Sequence, residues 1–108
     1  GLGKTIQTIS LLALLHERGL PDAPHLIICP STTLTNWLRE IKKWCPAFRV
    51  IAYFGNPEER DEIKQALASS RYDIIVTTYN IAGKKRDRIF LKKQLFYYVI
   101  LDEAQNIK

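Results

Sequence analysis

The chain has 108 residues and a formal net charge of +5, from 16 Lys and Arg against 11 Asp and Glu, and 46% of its residues are hydrophobic. This composition excludes a disordered or low-complexity chain, and the length allows one domain at most. No apolar run approaches the roughly 20 residues of a membrane span, and the start lacks a signal-peptide pattern, so we expect no membrane partner. Because the sequence contains no Met, opens inside a glycine-rich motif and stops after an acidic one, we expect a piece of a longer protein, truncated at both ends.

Helices and strands alternate from the beginning of the sequence. Apolar residues at helical spacing predict a helix over Thr5–Glu17, which Gly19 ends. The apolar run Leu26–Cys29 is typical of a buried parallel strand. One apolar face, which includes both tryptophans, predicts a helix over Leu34–Trp44, and we expect a hydroxyl of Ser31–Thr33 to cap it.

The alternation continues through the second half of the chain. Strands are predicted over Phe48–Phe54, Asp73–Thr77 and Phe96–Leu101. A helix with a capping Asn and an early Pro is predicted over Asn56–Ser69, and the basic segment Gly83–Lys93 predicts a loop and a short helix. The predicted fold class is therefore α/β, with a mainly parallel sheet flanked by helices.

The cysteines and histidines do not form a recognisable framework. Cys29 and Cys45 are too few for a disulfide scaffold, so we expect two free thiols, buried or half-buried. Neither His16 nor His25 has metal-site spacing to a cysteine, so we expect no zinc site.

The first residues, Gly1-Leu2-Gly3-Lys4-Thr5, match the end of a phosphate-binding loop. Glycines let the backbone curl so that several N–H groups point at one phosphate, and the following helix directs its positive end at the same anion. Lys4 would then reach the β- and γ-phosphates of a nucleotide, and the Thr5 hydroxyl would bind Mg²⁺. The alternative is a glycine turn that caps an ordinary helix.

Two adjacent carboxylates, Asp102 and Glu103, follow the last apolar strand. Carboxylates at the end of a buried strand are costly unless a cation or a reaction uses them. Asp102 is suited to hold Mg²⁺, and Glu103 to orient and deprotonate an attacking water. Ligands bind at the carboxyl ends of strands in open parallel sheets, so both motifs are predicted to meet at one edge. The alternative is a pair of solvated acids that cap a following helix.

These motifs, in this order, resemble the first RecA-like lobe of superfamily-two helicase-like ATPases, and more narrowly the Swi/Snf-related chromatin-remodelling ATPases. The matching segments are Gly1–Ile9 for motif I, Ile28–Glu40 for motif Ia, Tyr53–Gly55, Val76–Tyr79 for motif Ib and Val99–Lys108 for motif II. The resemblance covers residues 1–108 as part of an N-terminal ATP-binding lobe. The segments Asn36–Glu40, Trp44–Pro46 and Glu59–Arg60 most resemble the Etl/Fun branch, which contains a DEAD/H box.

The resemblance implies a RecA-like P-loop NTPase lobe that uses ATP and Mg²⁺. Lys4 and Thr5 would hold the phosphates and the metal, and Asp102 and Glu103 would serve the metal and the water. Gln105 would link the nucleotide site to the other lobe or to the DNA-binding motifs. The implied partners are double-stranded DNA, nucleosomes with their histones, and the second RecA-like lobe of the same parent chain, and the implied location is the nucleus.

The resemblance also implies that motifs Ia and Ib face the DNA backbone. The residues concerned are Ser31, Thr32, Asn36, Trp37, Thr77 and Thr78. Hydroxyls and helix N-termini are good phosphate binders. For the two threonines of motif Ib the alternative is β-propensity with turn capping, and for the tryptophans core packing is favoured over base stacking.

A basic segment runs over Lys84–Arg88 and continues with Lys92 and Lys93, and Lys84, Lys85 and Arg86 are its candidate DNA-binding residues. We expect it to bind nucleic-acid phosphates or the nucleosome with salt-dependent affinity, and the alternative is a solvated surface.

Together the motifs predict the ATP-binding part of a DNA-dependent ATPase that moves along duplex DNA and slides or exchanges nucleosomes. The second lobe would supply an arginine finger, so we expect the isolated chain to hydrolyse ATP poorly or not at all. The alternatives are a DEAD/H-type RNA helicase lobe and a non-catalytic module that binds nucleic acid.

Overall fold

The computed structural model describes residues 2–20 and 22–102. Helices α1 to α5 span Leu2–Glu17, Leu34–Trp44, Pro57–Ser69, Tyr79–Ala82 and Lys85–Lys93, and a 3₁₀ turn over Ser31–Thr33 precedes α2. Strands β1 to β4 span His25–Cys29, Val50–Ala52, Ile74–Thr78 and Val99–Leu101. Within the described residues the strands form one parallel four-stranded sheet in the order β2-β3-β1-β4, which confirms the predicted α/β class. No described helix is long and apolar enough to span a membrane.

The strand register brings all the carboxyl ends to one side of the sheet. Ile27 in β1 lies opposite Val76 in β3 and Ile100 in β4. We call this side the carboxyl edge. Helices α2, α3 and α4 each follow a strand, so their first turns lie at the carboxyl edge. Helix α1 ends before β1 begins, so it runs back across the sheet and its first turn also lies towards this edge.

Two layers of helices cover the two faces of the sheet. Ile27 and Val76 face one core cluster, together with Ile9 and Leu12 of α1 and buried residues of α2. The neighbouring strand residues face a second cluster on the side of α3, α4 and α5, whose buried members are Leu26, Tyr53, Ile75, Ile81 and Leu91. Because both faces are covered, the central strands consist mainly of apolar residues, as buried parallel strands do.

The two outer strands are shorter than predicted. Strand β2 covers Val50–Ala52 and β4 covers Val99–Leu101, although the apolar patterns begin at Phe48 and Phe96. These two phenylalanines pack against the two core clusters instead of extending the strands. A buried apolar residue and a paired strand residue give the same sequence pattern. The pattern alone therefore overestimates the length of an outer strand.

The beginning and the end of α2 also differ from the prediction. No side-chain hydrogen bond caps this helix, because the Thr33 hydroxyl donates to the Pro30 carbonyl oxygen at 3.0 Å instead. The apolar pattern predicts core packing for Trp44, but this side chain is 51% exposed. Its indole N–H donates to Glu40 Oε1 at 3.0 Å, and the Lys43 ammonium lies over its ring. At the end of the helix this tryptophan finds its partners on its own helix rather than in the core.

Helix α1 begins at Leu2 rather than at Thr5, and β3 covers Ile74–Thr78 rather than Asp73–Thr77. Three further local predictions are confirmed. Gly19 ends α1 with a φ of 65°, a left-handed conformation in which a side chain is costly. Asn56 and Glu59 form a reciprocal capping box at the start of α3. Both cysteines are free, with Cys29 buried and Cys45 half-buried. Burial raises the pKa of the Cys29 thiol to about 11, so it is protonated at neutral pH.

Candidate functional site

The first turn of α1 presents the residues predicted to bind phosphate. Gly3 and Lys4 are exposed, and Thr5 is buried at 7% exposure. Backbone N–H groups in a first helical turn have no partner within the helix, so they are available to an anion. Gly1 lies outside the described residues, and the side chain of Leu2 is not described.

Asp102 follows β4 directly, and hydrogen bonds to β1, α2 and α4 hold it. Its backbone N–H donates to the Ile28 carbonyl oxygen in β1 at 2.8 Å. Its Oδ2 accepts from the Trp37 indole Nε1 at 2.8 Å, and its carbonyl oxygen accepts from the Tyr79 hydroxyl at 3.1 Å. Both the backbone and the carboxylate of Asp102 are therefore oriented by residues of motifs Ia and Ib and of β1.

The donor set at this edge fits a hard cation shared with a phosphate ligand. The described residues contain no group of three or more His, Cys, Asp or Glu side chains that could hold a metal by themselves. Mg²⁺ in nucleotide sites typically has one or two carboxylates as ligands, with phosphate oxygens and waters completing the shell. The Asp102 carboxylate and the Thr5 hydroxyl are oxygen donors of this kind. Glu103 and Gln105, the other predicted residues of motif II, lie outside the described residues.

Motif Ia places polar groups both on the surface and inside the protein. Ser31 and Thr32 are exposed in the 3₁₀ turn that follows β1 at the carboxyl edge. Asn36 is half-buried, and its Oδ1 accepts from Arg39 Nη2 at 2.6 Å. Trp37 is only 3% exposed, so its ring contacts the core rather than solvent.

The two threonines of motif Ib use their hydroxyls within the fold. Thr77 and Thr78 are both 0% exposed. The Thr77 hydroxyl donates to the Tyr53 carbonyl oxygen at 2.8 Å, which ties β3 to the residue after β2. The Thr78 hydroxyl accepts from the backbone N–H of Ile81 at 3.2 Å and so caps α4, a short helix that the sequence analysis did not predict. Tyr79, the next residue, is 40% exposed.

The basic segment lies at the same edge because one acidic residue anchors it. Lys84 and Lys85 are exposed, and the Arg86 side chain is 76% exposed with Nη2 3.9 Å from Asp61 Oδ1. Asp87 is the next residue and is only 3% exposed. It contacts the loop after β2 and the first turns of α3, which fixes the start of α5 at the carboxyl edge.

The anchor is a buried cluster of Tyr53, Arg60 and Asp87. Asp87 Oδ1 accepts from the Tyr53 hydroxyl at 2.6 Å and from Arg60 Nε at 3.0 Å. Arg60 Nη1 also donates to the Gly55 carbonyl oxygen at 2.5 Å. Gly55 has a φ of 116°, and a Cβ there would approach Glu59 Oε1 to 2.5 Å, so this turn requires glycine.

The electrostatics of this cluster favour the ionised carboxylate. Burial raises the pKa of Asp87, but hydrogen bonds from Tyr53 and Arg60 and the Arg60 charge outweigh it, and the net pKa is lowered. Burial raises the pKa of Tyr53, and the hydrogen bond to Asp87 and the Asp87 charge raise it further, against a lowering by the Arg60 charge. Sequence analysis missed this cluster. The sequence feature that could have indicated this cluster is the single acidic residue within the basic run Lys84–Arg88.

Two grooves lie on the described surface. One, of about 460 Å³, is lined by residues that precede strands, such as Asp22, Tyr72 and Phe96. The other, of about 500 Å³, lies between β4 and α5 and is lined by apolar residues such as Leu26, Leu91 and Val99.

Comparisons with known proteins give a consistent result. The sequence profile of a family described as the SNF2-related domain matches residues 1–108. The ISWI chromatin-remodeling complex ATPase CHR11 of Arabidopsis thaliana is 46% identical over 110 residues, which cover 100% of this chain and 10% of that protein. The ATP-dependent helicase FUN30 of Saccharomyces cerevisiae is 47% identical over 111 residues, with the same coverage. The chain thus spans about a tenth of the length of these relatives.

A solved structure has the same fold. The Sulfolobus solfataricus SWI2/SNF2 ATPase core in complex with dsDNA matches with a TM-score of 0.74 and 37% sequence identity. The match covers 99% of this chain and 20% of that one. Relatives of the ISWI type and of the Fun30 type have nearly equal identity, so identity does not favour one branch over the other.

Proposed function

Because the chain belongs to the family of SNF2-related domains, we propose that it is the ATP-binding part of a DNA-dependent ATPase that remodels chromatin. The observation that supports this most directly is the arrangement at the carboxyl edge. There the first turn of α1, the carboxylate after β4 and the basic start of α5 lie on one edge of the sheet. A nucleotide and a nucleic acid could therefore both bind at this edge.

We propose ATP with Mg²⁺ as the cofactor. Lys4 would bind the β- and γ-phosphates, the helix start would add N–H groups, and Thr5 and Asp102 would hold the cation. Bound Mg²⁺ would neutralise charge that develops on the transferred phosphoryl group. Glu103 would orient and deprotonate the attacking water, and Gln105 would connect this site to the DNA-binding motifs.

For the nucleic acid we propose double-stranded DNA, bound through its phosphates. Ser31 and Thr32 present exposed hydroxyls at a helix start, and Lys84, Lys85 and Arg86 present exposed charges at the same edge. Trp37, Thr77 and Thr78 are buried and form hydrogen bonds within the fold, so we propose that they support this surface without contacting DNA. Asn36 is half-buried and pairs with Arg39 on the surface of α2, and we propose it as a DNA contact.

The wider setting is also a proposal. We propose that residues 1–108 form part of the N-terminal lobe of a two-lobed motor whose second RecA-like lobe supplies an arginine finger. ATP hydrolysis would open and close the lobes and move the motor along duplex DNA in nucleosomes, in the nucleus. The isolated chain would then turn over ATP poorly.

The nucleic acid that stimulates turnover separates this function from its alternatives. In the full-length protein we expect the ATPase rate to rise at least tenfold with duplex DNA or nucleosomes, and little with single-stranded RNA. The Lys4→Ala variant should abolish the stimulated rate, because alanine cannot bind the β- and γ-phosphates. Stimulation by RNA alone would indicate an RNA helicase. If no part of the ATPase rate depends on Lys4, the remaining interpretation is a non-catalytic module that binds nucleic acid.

The salt dependence of DNA binding tests the basic segment. Changing Lys84, Lys85 and Arg86 to Gln should flatten the plot of log affinity against log salt by about 0.9 for each phosphate that is no longer neutralised. Binding titrations of the full-length protein on one duplex at several salt concentrations measure this slope. The matched control changes Lys42, Lys43 and Arg71 to Gln. These residues are exposed at the end of α2 and before β3, away from the carboxyl edge. Equal slopes for both triple variants would contradict a specific DNA contact.

A further inference from the structure

Trp37 makes a contact that the motif assignment does not explain. Its indole Nε1 donates to Asp102 Oδ2 at 2.8 Å, and the two residues are 65 positions apart in the sequence. An indole N–H is a donor only, whereas a carboxylate accepts up to about four hydrogen bonds. Acceptance at Oδ2 is therefore compatible with simultaneous binding of a cation by the same carboxylate.

The direction of this hydrogen bond is fixed by packing. The Trp37 ring is 3% exposed and belongs to the core cluster that contains Ile9, Leu12 and Ile27. Close-packed cores resist rotation of a large ring, so the N–H cannot turn away without repacking its neighbours. The backbone of Asp102 is held at its N–H and carbonyl oxygen, so the Trp37 hydrogen bond orients the carboxylate on a fixed main chain.

On the basis of the proposed function, we propose that Trp37 is a positioning residue that orients the Asp102 carboxylate for the cation of a Mg²⁺-nucleotide. Groups that hydrogen-bond a metal-binding side chain fix its geometry, and their loss typically weakens metal affinity by about 10- to 100-fold. Trp37 thereby acts from α2 on the nucleotide site, and its ring does not contact nucleic acid.

The second tryptophan of α2 provides a matched control. Trp44 also donates its indole N–H to a carboxylate, at 3.0 Å, but the acceptor is Glu40 on the same helix and the ring is 51% exposed. A Trp→Phe change at either position removes one indole N–H. Only the change at Trp37 removes a hydrogen bond to Asp102.

The test measures metal dependence of nucleotide binding in the full-length protein. ADP binding is titrated by calorimetry without metal and with increasing Mg²⁺, for the wild type, Trp37→Phe and Trp44→Phe. For Trp37→Phe we expect the Mg²⁺ concentration at half-maximal effect to rise about 10- to 100-fold, with metal-free ADP affinity within about twofold. Trp44→Phe should match the wild type. Unchanged Mg²⁺ dependence in Trp37→Phe would overturn the proposal.

A second substitution separates the hydrogen bond from packing. Benzothienylalanine at position 37 has nearly the shape of tryptophan but sulfur in place of the indole N–H. If positioning is the cause, this variant should keep the core packed and still show the weakened Mg²⁺ response. Restoration of the wild-type response would assign the effect to packing and overturn the proposal. A wild type without any Mg²⁺ dependence would contradict the proposed function itself, which is a different outcome.

Discussion

Replacing Asp87 with Asn is expected to cost roughly 3–5 kcal/mol of local stability where α5 packs on β2 and α3, the range for breaking a buried ion pair. The Arg60 side chain is 11% exposed, and its Nε lies 3.0 Å from Asp87 Oδ1. Without the carboxylate this charge remains buried and keeps its hydrogen bond to the Gly55 carbonyl oxygen, which carries no compensating charge. The Tyr53 hydroxyl, by contrast, can still donate to the amide oxygen of Asn.

Hydrogen exchange followed by mass spectrometry measures this loss in the full-length protein. Amides of α5 and of the segment after β2 should exchange about 10²- to 10⁴-fold faster, at about 1.4 kcal/mol per factor of ten. Asp61→Asn is the matched control, because Asp61 is an exposed acid near Lys64 and Arg86. An exposed pair contributes about 0–1 kcal/mol, so the control should change exchange little. Equal hydrogen-exchange rates in Asp87→Asn and Asp61→Asn would contradict the claim that Asp87 fixes the start of α5.

The same cluster predicts a direction for the response to acid. Its contacts lower the folded-state pKa of Asp87 below the ordinary value of 3.8. The unfolded chain then binds the proton more readily, so this contribution is complete above the unfolded pKa and is lost as the pH falls through the folded pKa. Denaturant unfolding on either side of about pH 4 should show this loss in the wild type and not in Asp87→Asn.

Replacing Asp102 with Asn is expected to reduce nucleic-acid-stimulated ATP turnover by about 10²- to 10³-fold, or roughly 2.7–4 kcal/mol, with little loss of stability. The amide oxygen can still accept from Trp37, so the packing of α2 against the end of β4 should survive. The negative charge that would hold Mg²⁺ is lost. Asp87→Asn should therefore affect mainly stability, and Asp102→Asn mainly chemistry.

Steady-state turnover of the full-length protein with saturating duplex DNA measures the effect, and the unfolding midpoint is measured on the same samples. Asp22→Asn is the control, since Asp22 is exposed and lies before β1, at the opposite edge of the sheet. If Asp102→Asn turns over ATP at the wild-type rate, Asp102 does not bind the metal as proposed. A large fall in the unfolding midpoint would show that its main role is structural.

Much of the fold was predictable because its signals are local. Leu26–Cys29 is a continuous apolar run, Leu34–Trp44 has apolar residues at helical spacing, and Asn56 marks the start of α3 by its capping chemistry. The family resemblance drawn from the motifs is also confirmed. These features depend on neighbours within a few residues, which a sequence displays directly.

The contacts that organise the carboxyl edge were not predictable in the same way. Trp37 and Asp102 are 65 residues apart, and Tyr53 and Asp87 are 34 apart. A sequence indicates that an indole is apolar, but not where its N–H points. The sequence also shows that Asp87 lies in a basic run. Such a run is typical of an exposed surface, so it does not indicate that Asp87 is buried. Such pairs depend on how helices pack, which local patterns do not encode.

The position of Asp87 has a consequence for how quickly DNA would leave the surface. Fixing one residue of backbone costs about 1–2 kcal/mol of conformational entropy. Because Asp87 holds the start of α5, the backbone of Lys84–Arg86 is already ordered before any phosphate arrives, and binding need not meet that cost. The positive charge that steers encounter would be unchanged if the anchor were released. Loss of the Asp87 contacts would therefore leave the rate of DNA association almost unchanged. It would shorten the residence time of the DNA complex.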